Sequence, residues 1–162
     1  MANKDRPRGF VPKGKVLQQL VTVAGGTIYP GDWVKLQSDG TVVVVAAGND
    51  IYGNSLSYAT TGQKVLLSVA PEQLYVGQAD ETELDAQTDI GNLCDVVATA
   101  GSSTYKASRM EIDSSTVGTG AGGQLCIVGF AARPDTAAGT NADVIVKINE
   151  HQMFGTDDFA GI

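Results

Sequence analysis

From Val16 onward the chain alternates short runs of apolar, β-branched residues with Gly, Asn, Asp and Pro, the pattern of strands divided by turns. Residues 16–23 form a first predicted strand, closed by Gly25-Gly26. Tyr29-Pro30-Gly31-Asp32 is a turn that delivers residues 33–37, where Val34 and Leu36 alternate with Lys35 and Gln37, so one face is buried and the other wet. Asp39-Gly40 carries the signature of a tight hairpin, and residues 41–46 return as a mostly apolar strand. Residues 51–53, 56–59 and 64–70 follow, with Thr60-Thr61-Gly62-Gln63 turning before the last. Five or six strands in so short a span suit a small closed or nearly closed barrel.

Pro71 marks a seam, because proline removes a ladder donor and pushes the residue before it towards extended geometry. Beyond it, residues 72–79 and 90–98 read as strands, 80–85 as an acidic loop, and 104–112 as a roughly alternating strand closed by the turn Asp113-Ser114-Ser115. Residues 124–131 and 143–149 are the last strands, separated by a loop over 134–141, and no segment sustains a helical period. The predicted fold is all-β. It has an extended N-terminal arm over 1–15, a small SH3-like or partly open barrel over 16–70 and a second β-rich unit over 71–150. A tail over 151–162, carrying Phe154 and Phe159, is read as exposed or docked on a partner.

Composition supports this class: Gly, Val, Ala and Thr make up 70 of the 162 residues, and Gly, Val and Thr are poor helix formers. The longest apolar run, from Val42 to Ala47, is far short of the roughly 20 residues a membrane helix needs. The start of the chain, charged and proline-bearing with no apolar stretch behind it, does not read as a secretory signal, which points to folding in a cytoplasm. A chain of this length buries about 70% of its unfolded surface and holds a core without disulfides or metals. Cys94 and Cys126 belong to no CxxC pair and read as free thiols packed as small hydrophobes.

Charge is unevenly placed. Lys4, Arg6, Arg8, Lys13 and Lys15 face only Asp5 within residues 1–15, giving the arm +4, while residues 16–162 sum to −11. With Pro7, Gly9, Pro12 and Gly14 breaking any helix, the arm reads as disordered or extended when free. It is either a solvated tail or a segment that docks on an acidic partner, with Phe10 and Val11 as apolar anchors. An acidic body disfavours nucleic acid as the partner.

Candidate chemistry is sparse. Gly118-Thr119-Gly120-Ala121-Gly122-Gly123 matches GxGxxG, but that motif needs a helix after it and a strand is predicted there, so no cofactor is assigned. His151, the single histidine, has no GxSxG-type nucleophile turn to serve, and Cys94, Cys126 and His151 lack the close spacing of zinc ligands. The sequence therefore reads as a protein without an active site. Asp80, Glu81, Glu83 and Asp85 form a solvated loop, a docking site for the basic arm of a neighbouring copy, or an oxygen-ligand site for Ca²⁺ without EF-hand spacing.

Three stretches carry a family likeness: Ile28-Tyr29-Pro30-Gly31-Asp32-Trp33-Val34-Lys35-Leu36 with Asp39-Gly40-Thr41-Val42; Pro71-Glu72-Gln73-Leu74-Tyr75-Val76-Gly77-Gln78-Ala79-Asp80 leading to Ile90-Gly91-Asn92-Leu93; and VIVKINEHQ, which begins at Val144. In this order they resemble the capsid decoration, or cement, proteins of tailed bacteriophages. The likeness runs from about Arg6 to Gln152. The resemblance implies a virion component, made in a bacterial cytoplasm, that binds the outer face of the expanded head. It implies contacts with the major capsid protein, self-association as a dimer or trimer, no membrane partner and no catalytic residues. On this reading Lys4, Arg6, Arg8, Phe10, Lys13 and Lys15 are the capsid-binding candidates. The competing class is a carbohydrate-binding or tail-fibre-associated β module, with Tyr29, Trp33, Tyr52, Tyr58 and Tyr75 as a sugar platform.

Overall fold

A computed structural model describes residues 3–80, 83–118, 122–134 and 137–153. In chain order its strands are β1 (Val11–Lys13), β2 (Gln18–Thr22), β3 (Thr27–Ile28), β4 (Trp33–Leu36), β5 (Val42–Val44), β6 (Gly53–Ser55) and β7 (Ala59–Thr60). There follow β8 (Lys64–Ser68), β9 (Leu74–Gln78), β10 (Leu93–Val97), β11 (Glu111–Asp113), a single 3₁₀ turn over Ser114–Thr116, β12 (Leu125–Phe130) and β13 (Asp143–Ile148). The fold is all-β, as the sequence predicts.

Two antiparallel sheets carry the architecture. One has the order β2-β8-β6-β4-β5, the other β1-β9-β13-β12-β10-β11, and a ribbon of β3 and β7 completes the set. None closes into a barrel. The smaller sheet curls until Ala24 N–H donates to the Val42 carbonyl at 2.9 Å, beyond the end of β2, but no ladder joins β2 to β5. The chain crosses from one sheet to the other between β8 and β9, around Pro71.

Two predicted strands are shorter than their alternation suggests. Ser57 replaces ladder geometry over 56–59, because its hydroxyl accepts from Leu66 N–H at 2.9 Å and its carbonyl accepts from the Ser55 hydroxyl at 2.7 Å. Residues 102–107 make a tight loop closed by Ser102 N–H to the Ala107 carbonyl at 2.8 Å, with Lys106 at φ +51°, which leaves only Glu111–Asp113 in a strand.

The hydrophobic core has two parts. Val21, Val34, Leu36, Tyr52, Val65 and Leu67 belong to the smaller cluster, inside the curled sheet. The larger contains Tyr75, Val96, Ile112, Leu125, Ile127 and Val146 from the six-stranded sheet, but also Phe10 from the arm and Trp33, Val45 and Ile51 from the region 16–70. Trp33 and Val34 are both fully buried because successive strand residues face opposite ways: Val34 enters the small core while Trp33 enters the large one. The two regions are therefore joined by shared packing at β4.

The arm is part of the body rather than a free extension. β1 pairs antiparallel with β9, Val11 opposite Val76 and Lys13 opposite Leu74. Phe10 is 1% exposed, with its ring 4.8 Å from that of Trp33, which in turn meets Tyr75 edge-on at 4.6 Å. These separations lie in the favourable range for offset aromatic pairs. The C-terminal segment differs from expectation in the same way. His151 is buried, it bridges to Ile51, and Gln152 pins Leu36 through both its amide nitrogen (2.6 Å to the carbonyl) and its amide oxygen (2.7 Å from the N–H). His151 to Met153 are thus anchored to the body; the remainder of the predicted tail lies outside the described residues.

Candidate functional site

The basic segment lies along the β9 edge of the six-stranded sheet, and side chains of that sheet hold its main chain in place. Gln78, near the end of β9, accepts from Arg6 N–H at 2.6 Å and donates to the carbonyls of Lys4 (2.8 Å) and Asn141 (3.0 Å). Gln73, just before β9, donates to the Lys13 carbonyl at 2.8 Å. Both glutamines are buried, where an unmade hydrogen bond is costly, so the arm completes polar groups that the body leaves open.

The arm then crosses the Tyr29-Pro30-Gly31-Asp32 turn. Phe10 N–H donates to the Gly31 carbonyl at 3.0 Å, and Gly31 sits at φ +96°. A Cβ on Gly31 would lie 2.9 Å from the Arg8 carbonyl and 3.1 Å from Ser108 Cβ, so the turn is a junction where only glycine fits. Asp32 locks it: its carboxylate accepts from Tyr29 N–H at 2.8 Å, and its carbonyl accepts from Ser55 N–H at 2.8 Å. Burial pushes the Asp32 carboxyl above its ordinary range, against the lowering effect of its hydrogen bonds from Ser108 and Tyr29.

The six capsid-binding candidates divide by direction. Lys4, Arg6, Lys13 and Lys15 project into solvent and have no ion-pair partner among the described residues. Arg8 is turned inwards: it meets the Asp143 carboxylate at 2.7 Å, where Arg133 also arrives at 3.0 Å. Phe10 is not available as an anchor for a partner. Contrary to the expectation from sequence, it is a core residue, because Trp33, Tyr75 and the glycine backbone at Gly77 form its pocket within the same chain. Val11, by contrast, is 51% exposed. Asp143, Gln73 and Gln78, which fix the arm, carry no local signal in the sequence. They sit in ordinary strand surroundings and act on residues far away along the chain.

The acidic candidates also separate. Asp80 is an internal strut, accepting from both the amide (3.1 Å) and the hydroxyl of Ser114, while its own N–H donates to the Ile112 carbonyl at 3.0 Å. Contrary to the expectation from sequence, its carboxylate is spent inside the fold and is not a contact for a neighbour. Glu81 lies outside the described residues. Glu83 and Asp85 are exposed, and Asp85 caps its own loop by accepting from Gln87 N–H (2.7 Å) and Thr88 N–H (3.0 Å). Those two amide bonds hold its carboxyl below the usual range. No group of three or more His, Cys, Asp or Glu side chains suited to a metal ion occurs among the described residues.

The remaining candidates occupy structural positions. His151 Nδ1 accepts from Met153 N–H at 3.1 Å, which leaves Nε2 as the protonated nitrogen that donates to the Val69 carbonyl at 3.1 Å. Burial lowers its pKa from the ordinary 6.5, against the raising effects of the Val69 carbonyl and Glu72. Cys94 faces Leu125 across the ladder and Cys126 faces Leu93, so the two thiols point to opposite sides of the sheet and stay free. Burial, then Asp95, Cys126 and Asp113, push the Cys94 thiol up to about 12.

The Gly118 loop runs into β12, a strand, and the middle of its glycine motif lies outside the described residues. Of the five platform aromatics, Trp33, Tyr52 and Tyr75 are buried in the cores, so the platform as drawn from sequence does not form. Tyr29 and Tyr58 do meet near the surface, with ring centroids 5.5 Å apart and Lys106 Nζ 4.9 Å above the Tyr58 ring. Comparison of the chain with protein-family models, with curated proteins and with solved structures gave no match in any of the three.

Proposed function

We propose that this chain is a capsid decoration protein of tailed bacteriophages, a structural virion component that binds the outer face of the shell and stabilises contacts between major capsid protein subunits. The observation that supports the reading best is the display of Lys4, Arg6, Lys13 and Lys15 along one edge of an acidic β body, on a main chain that β9, Gln73 and Gln78 already hold in place. Ordering a free arm on binding costs about 1–2 kcal/mol per residue. An arm ordered during folding leaves that cost out of the binding step, so a few lysine and arginine contacts to acidic shell surface go further. Many copies on one shell multiply weak single contacts into firm attachment. The work is mechanical, with no substrate turned over, and the partners are protein: the major capsid protein and other copies of the chain.

The test is the copy number of this chain relative to the major shell protein in purified particles, by quantitative mass spectrometry. A ratio near unity or a simple fraction of it supports tiling of the head. A handful of copies assigns the chain to a tail or fibre, and absence from particles overturns the reading.

A further inference from the structure

The ladder of the six-stranded sheet sets Lys13, Leu74 and Lys147 side by side, since Lys13 on β1 is opposite Leu74 on β9 and Leu74 is opposite Lys147 on β13. Tyr75 and Val146, one position along, belong to the larger core, so these three stand on the outer face of the sheet. Both lysines are exposed. Beside them on that face lies the row Val11, Val76 and Ile145, continued by Gly129, where an added Cβ would meet nothing within 4 Å.

At its β1 end the lysine row adjoins a groove of about 430 Å³, where the link from β1 to β2 runs beside the link from β8 to β9. Its walls include Lys13, Lys15, Leu17, Ala70, Glu72 and Leu74, and Leu17 is 62% exposed. A scattered exposed leucine is ordinary on a protein surface; one that lines a concavity between lysines is a seat for an apolar side chain. Charge marks the same place. Residues 16–162 sum to −11, yet Lys13, Lys15 and Lys147 gather here, and Glu72 is the one acid of the groove lining. None of the three lysines has an ion-pair partner among the described residues.

We infer that this groove receives an acidic segment of the shell protein, which seats an apolar side chain beside Leu17 and sets carboxylates against Lys13, Lys15 and Lys147. The assignment rests on the decoration reading above and adds two contacts, Leu17 and Lys147, that lie outside the basic arm. A short acidic protein segment is favoured over nucleic acid because a few carboxylates match three lysines, whereas a long polyanion must also lie against the acidic body. Beyond Lys147 the bare position at Gly129 leaves the sheet face open, so the segment can continue across it. Charge pairs in a partly enclosed seat are also screened by salt less than pairs on open surface.

Co-sedimentation of the full chain with undecorated particles, titrated at low and high salt, tests the assignment. Wild type, Leu17→Asn, Lys147→Glu and Lys64→Glu are compared, with thermal melts confirming that each is folded. Lys64 serves as the control because it is exposed at the start of β8, the end far from the groove. Leu17→Asn is expected to weaken binding by at least about tenfold at both salts, since it removes apolar contact without changing charge. Lys147→Glu is expected to weaken it by at least about tenfold at low salt and by less at high salt, and Lys64→Glu to stay within about threefold of wild type. If either Leu17→Asn or Lys147→Glu binds as wild type does, the groove is overturned and the decoration reading stands. A loss through Lys64→Glu equal to that through Lys147→Glu also overturns it, because net charge then decides. Sedimentation equilibrium covers the other occupant: a dimer that Leu17→Asn dissociates assigns the groove to a second copy and overturns the shell segment. Wild type that neither binds shells nor occurs in particles overturns the decoration reading, and the shell segment with it.

Discussion

The Phe10 ring packs tilted against Trp33, with centroids 4.8 Å apart, and through that contact a residue of the basic arm becomes part of the core shared by both sheets. Phe10 serves the fold, while the charges of Lys4, Arg6, Lys13 and Lys15 face outwards. On the proposed function, binding and folding fall to different side chains of one segment, so mutation can separate them.

Phe10→Ala should cost about 3–5 kcal/mol of stability, the range for emptying a fully buried aromatic site. Urea unfolding followed by Trp33 fluorescence measures it. A loss under about 1 kcal/mol would mean that the arm is peripheral to the core. For the same reason, removing residues 1–14 tests folding rather than docking.

Gly77 lies under the Phe10 ring, where an added Cβ would collide with the ring carbons. Gly77→Ala should destabilise the protein by about 1–3 kcal/mol. Placed in the Phe10→Ala background it should cost much less, because the ring it strikes is gone. A double-mutant cycle reads this coupling directly, and strict additivity would contradict the contact.

Stability should fall as the pH drops through the histidine range. The pKa of His151 is lower in the folded chain than its ordinary 6.5, so the unfolded chain takes up the proton more readily. The contribution of the neutral ring is complete above about pH 6.5 and is lost below it. Asp32, whose carboxyl is raised by burial, acts in the opposite sense at lower pH, as does Glu150. The difference in melting temperature between wild type and His151→Gln, followed from pH 7.5 to 5.5 in steps of about half a unit, isolates the histidine. The gap should narrow as the pH falls; a constant gap would show that His151 does not titrate differently on folding.

On the proposed function, reversing the exposed charges should leave the fold intact and abolish attachment to shells. Lys4→Glu, Arg6→Glu, Lys13→Glu and Lys15→Glu together alter solvent-facing side chains and should shift stability by only about 0.5 kcal/mol for each site. Co-sedimentation with undecorated particles, at low and high salt, is the measurement. Binding that survives the four reversals would remove the arm from the docking surface. Arg8→Glu stands apart, because it sets a carboxylate against that of Asp143 at the start of β13 and should loosen the arm itself.

The sequence by itself determined the class of the fold, most of its strands and the basic-on-acidic charge division. These depend on local physics: two-residue alternation, β-branched runs, Asp-Gly and Pro-Gly turns, and the count of charged side chains over a short window. The strands near 18–22, 33–36, 64–68, 74–78, 93–97, 125–130 and 143–148 all fall inside predicted segments for that reason. Only the tertiary structure decided what the arm does. Arg8 finds Asp143 across 135 positions of chain, and Gln78 reaches Lys4 across 74, so neither partner leaves a mark near the other. From sequence Phe10 reads as available because nothing around it there is apolar enough to hide it; Trp33 on β4, with Tyr75 and the bare backbone of Gly77 on β9, assembles its pocket from far along the chain.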